Sequence, residues 1–304
     1  MLKQRILATL RFFDLQEYPL TLLELHKFLI ANVDNLKLHI DAQGETKELV
    51  LTQEDIITID QVLYCVEQEC GGVVENYLGF YCLPGRKSII DQRLANYFYG
   101  ISREKNIRRF VKYLNFIPFV RGVALGGSQA MGLQKEGSDI DLLIITDPQY
   151  IWLTRTLVTA FFQLLGKRRY GIHIKNRFCL NHYLAGPKKL SDFKNLYTAY
   201  EYLRLRTLVG PHSVWQFKKA NENWLRFFFP NNVLLEPDNI NQNQFQNIFE
   251  TLLNNNFGLA LERFLKTWQL PKIKQEKFIV VEEDELSFHP ESKQQALLSS
   301  FFKV

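Results

Sequence analysis

Residues 119 to 146 read FVRGVALGGSQAMGLQKEGSDIDLLIIT, the segment that most restricts what this chain can fold into. Val120, Val123, Ala124 and Leu125 predict a buried strand that delivers Gly126, Gly127 and Ser128 to a tight turn. Glycine lets backbone approach an anion without a Cβ clash, and SQAMGLQ starts a short helix whose free N–H groups favour phosphate. Ser128 adds a hydroxyl donor there. SDIDLLIIT begins ten residues beyond Ser128 and predicts a second strand, with Asp139 and Asp141 projecting from one face and Ile140 from the other. No Arg or Lys stands beside the pair in this segment. Two such carboxylates repel unless a cation lies between them, and hard oxygen donors suit Mg²⁺ or Mn²⁺.

A GGS turn followed at this spacing by SDIDL resembles the signature of the nucleotidyltransferase superfamily, typified by DNA polymerase beta and the minimal nucleotidyltransferases. The resemblance implies an α+β fold, a mixed sheet with flanking helices, over residues 118–189. It implies that Gly126, Gly127 and Ser128 hold the phosphates of ATP or another NTP. Asp139 and Asp141 would bind the divalent metals and act as the catalytic pair. The superfamily places a third carboxylate on the next core strand, after a helix. Here the helix falls near Tyr150 to Leu165 and the strand is NRFCLNHYLAG, which carries no acid. Asn181 or its neighbour Cys179 stands at the third-acid position, and neither an amide nor a buried thiol replaces a general base. Glu201 is a remote substitute, and His182 is a base candidate whose strand setting is equally that of a packed histidine.

Upstream, Ile6, Leu7, Leu10 and Phe13 recur at helical spacing, DLQEYPLT makes a turn, and a second amphipathic segment follows from Leu20 to Leu29. Thr52 and Asp55 predict the cap of a third helix ending near Gln68, and VVENYLGFYCLPG predicts a small hairpin. This order resembles a winged-helix domain over residues 1–85. Winged helices use the third helix on DNA, yet EDIITIDQVLYCVEQEC carries five acids and no Lys or Arg. A protein contact suits it better than DNA. Residues 86–117 predict a helical linker that does no chemistry, and residues 190–304 a mainly helical C-terminal domain. The stretch Lys194 to Val209 reads as helix. Tyr200, or Trp224 beside Asn221 and Asn223, offers a ring for stacking a base, although core packing is the commoner use. A short β run and a last helix close the sequence, and His289 has no metal-ligand partners nearby.

Composition narrows the class. A 46% hydrophobic chain with only 10 Pro and 16 Gly is globular, and 24 Phe with 13 Tyr make its interior aromatic. Four cysteines without CxxC spacing, and an N-terminus lacking a signal-peptide core, suggest a cytoplasmic protein with free thiols. Apolar runs such as LVTAFFQLL are too short to span a bilayer, so no membrane partner is expected. A net charge of +5 permits a polyanionic partner, and Lys167, Arg168, Arg169, Lys175 and Arg177 form either a solvated loop or a phosphate-facing rim. The expected function is transfer of a nucleoside monophosphate from Mg-NTP to a hydroxyl of a protein, small molecule or RNA. The alternative is a catalytically silent nucleotide sensor acting through residues 1–85 on DNA or a protein.

Overall fold

The computed structural model describes residues 1–31, 56–188, 190, 194–238, 244–273, 280–287 and 292–302. Its centre is a six-stranded mixed sheet in the order β7 (Arg206–Val209), β4 (Val120–Leu125), β5 (Ile140–Thr146), β6 (Phe178–Ala185), β9 (Glu285–Ser287), β8 (Val280–Val281). β4 (Val120–Leu125) and β5 (Ile140–Thr146) pair antiparallel, with Leu125 opposite Leu142. β5 and β6 (Phe178–Ala185) pair parallel, which demands a crossover, supplied by the Ile151–Leu164 helix. That helix has no side-chain cap of its own. Its orphan N–H groups at Trp152 and Leu153 donate instead to the buried Glu262 carboxylate, at 2.9 and 2.6 Å. Glu262 belongs to the Asn256–Ile273 helix, so the C-terminal region caps the crossover.

The two sheet faces bury different residues. Ile140, Leu142 and Ile144 pack with Val158, Phe162 and Phe178, whereas Leu143 and Ile145 pack with Leu205 and Phe217 on the opposite side. The period-2 alternation places Asp141 on the Leu143 face.

The N-terminal elements are helix Leu2–Asp14, strand β1 (Leu20–Thr21), helices Leu22–Lys27 and Ile59–Glu69, and hairpin β2 (Glu75–Tyr77) with β3 (Phe80–Cys82). Their small sheet runs β1-β3-β2. Thr21 caps the second helix in a capping box with Glu24, and Glu24 pairs with Arg93 at 2.7 Å. Thr52 and Asp55 lie outside the described residues. The helix they were expected to cap starts at Ile59, on a Thr58–Gln61 capping box.

These helices do not have a core to themselves. Phe12, Phe13 and Phe28 pack against Tyr200, Phe229 and Phe301, with the Tyr200 ring 4.8 Å from Phe13 and 5.1 Å from Phe28. Tyr200 is therefore a core residue and no platform for a base. The Trp224 indole is likewise committed, packing near Tyr202 and donating to Asn221 at 2.9 Å.

The C-terminal third is less helical than its periodicity suggests. The helix Leu196–Arg204 stops and Arg206–Val209 becomes β7, paired antiparallel with β4. β8 (Val280–Val281) and β9 (Glu285–Ser287) extend the main sheet beyond β6. The pairing of β7 with β4 is a long-range demand, invisible to a helical-period count, whereas β8 and β9 fall on the short β run expected near the end of the sequence. Leu196–Arg204 is followed by helices Pro211–Ala220 and Glu222–Phe228, and the chain ends on Gln244–Leu253, Asn256–Ile273 and Ser292–Phe302. His289 lies outside the described residues. Among the described residues no helix is long and apolar enough to cross a membrane, and all four cysteines are free thiols.

Candidate active site

β4 ends at Leu125 and the chain turns through Gly126 into the short helix Gly127–Met131. The Gly126 N–H donates to the Asp141 carbonyl at 2.9 Å, tying the turn to β5. Gly127 adopts φ +57°, and a Cβ built there would collide with the Asp141 carboxylate. The absent side chain is what lets that carboxylate lie against the turn. Gly126 and Gly127 are buried, while Ser128 is half-buried.

Asp139 stands one residue ahead of β5 and Asp141 is its second residue. Across the parallel pair, Cys179 is in register with Asp141. The ligating atoms of Asp139, Asp141 and Cys179 all lie within 4.8 Å of one another. The register then slips: Leu143 faces His182, so three steps on β6 match two on β5, the mark of a β-bulge. Asn181 lies in that irregular stretch of β6, and its side chain lies outside the described residues. Cys179 is therefore the residue seen beside the aspartates. Burial, then Asp141 and Asp139, push its thiol up to about 12, so it sits neutral beside two carboxylates.

Two arginines position the acids, and neither was evident from the sequence. Arg103 is buried on the Ser88–Val111 helix, which the sequence presented as a mere linker. Its guanidinium donates to the Ser138 hydroxyl at 2.7 Å, the Asp139 carbonyl at 2.8 Å and the Ser138 carbonyl. It thus clamps the backbone that presents Asp139. Burial lowers its pKa, and Tyr99, Asp139 and Asp141 oppose that shift.

Arg169 reaches the Asp139 carboxylate directly and lies 3.5 Å from the Cys179 sulfur. Asp139 is therefore paired, contrary to the local reading of its segment. The partner arrives because the basic loop folds back on β6: the Phe178 N–H donates to Lys167 and the Arg169 N–H to Phe178, at 2.8 and 2.9 Å. A run of five cations in the sequence marked this loop, but only the fold selects Arg169.

The other base candidates stand elsewhere. His182 is buried and bonded to Glu285 at 3.2 Å, and Glu285 also pairs with Lys188. It is a packed histidine. Glu201 does not join the Asp139–Asp141–Cys179 group. It lies one helical turn from Tyr197, whose phenol is pushed up by burial, then by Glu201 and Asp141, so that helix borders the site.

A turn stripped of Cβ, two convergent carboxylates and a crossover helix between two parallel strands form one continuous unit. Residues 105–179 match the family model of the nucleotidyltransferase domain. The matched nucleotidyltransferase segment runs from the end of the Arg103 helix through β4, the glycine turn, β5 and the crossover to Cys179, about a quarter of the chain. It supports the nucleotidyltransferase superfamily for this segment, and nucleotidyl transfer as its general chemistry. No curated protein and no solved structure matches the chain.

Proposed function

We propose that the chain binds a divalent-metal complex of ATP or another NTP at Gly126, Gly127, Ser128, Asp139 and Asp141, and transfers the nucleoside monophosphate to a hydroxyl acceptor. The observation carrying this reading is the Asp139–Asp141–Cys179 convergence against the Cβ-free wall at Gly127. The donor set fits Mg²⁺ or Mn²⁺. Each takes one or two carboxylates and fills its remaining positions with water and phosphate oxygens, and a neutral thiol does not compete for them. When bound, such ions neutralise phosphate charge and activate the attacking hydroxyl.

The protein's own contribution is positional. Arg103 holds the Asp139 backbone, Gly127 leaves room for the Asp141 carboxylate, and the half-buried Ser128 is the residue of the turn that opens toward phosphate. Arg169 balances Asp139 and must yield to an incoming cation.

Purified protein with Mg-ATP or Mg-GTP at about a hundred times its dissociation constant should gain roughly 2.7 kcal/mol of stability. The check is a Mg²⁺-dependent rise in Tm, and a flat response to every NTP would remove the reading.

The thiol where a carboxylate is expected favours a second reading: a catalytically silent nucleotide sensor. In it, the N-terminal helices and hairpin act as a winged-helix-like module on a protein or DNA partner. The Ile59–Glu69 helix, acidic and without Lys or Arg, points to protein. Cys179→Asp separates the two readings. For an enzyme lacking only its base, it should raise incorporation of α-labelled nucleotide by about a hundredfold, the scale of general-base catalysis. Nucleotide binding with no transfer in either protein would establish the sensor. Free thiols and the lack of membrane-spanning helices among the described residues are compatible with a cytoplasmic setting.

A further inference from the structure

On the sheet face opposite the aspartates, a cavity of about 410 Å³ opens between the Ser88–Val111 helix and the basic loop. Its floor is Ile140 and Phe178, directly paired across β5 and β6 and of opposite parity to Asp139, Asp141 and Cys179. Among the described residues no acid lines it, while Arg103, Arg109 and Lys167 do. Arg103 is committed to the Ser138 hydroxyl and to the Ser138 and Asp139 carbonyls. Arg109 is exposed and Lys167 half-buried. Lys167 lies 5.5 Å from the Phe110 ring, and Tyr99 stands on the same wall about three turns earlier.

Cations supply phosphate contacts and aromatic rings a stacking surface, and the size falls within the range of small-ligand pockets. We propose that this cleft binds a nucleotide unit, its phosphate on Arg109 and Lys167 at one end, beside Phe110, and its base against Tyr99 at the other. Binding here is independent of the divalent metal and does not rest on the transferase reading. Arg103 connects the two places, since it forms part of the cleft wall and also holds Asp139, so an occupied cleft lies against the residue that sets the acid's position.

The test is fluorescence anisotropy of a labelled single-stranded oligonucleotide of about twelve residues, within the span such proteins cover, in EDTA, with AMP and polyglutamate as competitors. Binding is expected, and Arg109→Glu/Lys167→Glu should weaken it about tenfold or more, because phosphate contacts dominate such affinity. Arg109→Glu alone, at an exposed position, should weaken it in the same direction with Tm unchanged, which covers a folding failure of the double variant. Competition by AMP shows that one nucleotide suffices, and its failure shows that a polynucleotide chain is required; either supports the cleft. No binding in EDTA, equal binding by the charge-reversed proteins, equal competition by polyglutamate, or loss of binding in Asp139→Asn/Asp141→Asn overturns the proposal.

Discussion

Replacing Asp139 or Asp141 by Asn is expected to reduce nucleotidyl transfer by about a thousandfold, the upper end of what a single electrostatic contact contributes to catalysis. Asn preserves shape and removes only charge, so the fold should survive. Asp139 is 17% exposed in its side chain and its ion pair with Arg169 is itself part-exposed, so losing that pair costs little stability. What is lost is the hard-anion pair that a divalent ion requires. The double variant should be no worse than roughly the poorer single one, because groups that act as a unit are non-additive. Incorporation of α-labelled nucleotide, with Tm as the folding control, decides the matter. A variant that retains transfer within about threefold of the unmodified protein would place the chemistry elsewhere.

Gly127→Ala should damage the site itself through a single methyl group. At φ +57° a Cβ is strained by about 1–2 kcal/mol, and here it also strikes the Asp141 carboxylate. Relieving the clash moves the very acid the turn is shaped around. The expected result is a Tm lowered by several degrees, at about 2–4 °C per kcal/mol, together with loss of the Mg-NTP-dependent shift. Gly126→Ala is the matched control: its φ is −115° and its Cβ would meet only Leu205 at 3.4 Å and the Asp141 carbonyl at 4.0 Å. Equal losses in both variants would mean that the turn tolerates no side chain at all, and that the Asp141 contact is not special.

Much of the core unit is legible in sequence because its signals are local. Apolar runs around Val123 and Ile144, glycines at a turn, and carboxylates two residues apart each follow from steric and charge rules that act over a few residues. The crossover helix and β6 were likewise expected close to where they lie. Local rules misjudge β7, because Arg206–Val209 becomes a strand only through the open edge of β4. They misplace the cap at Thr58, since several Thr and Asp residues compete for that role.

The sequence alone determined a glycine turn followed by a carboxylate pair at Gly127, Asp139 and Asp141, the residues on which the proposed nucleotide site rests. Tertiary structure decided the rest of that place. A buried arginine from a helix 36 residues upstream holds Asp139 by its carbonyl. An arginine 30 residues downstream neutralises its carboxylate. Parallel pairing brings Cys179 to the third position and leaves His182 with Glu285. The physical reason is the same in each case: a charge or a thiol is assigned its partner by strand register and loop closure, which bring together residues that no local pattern connects.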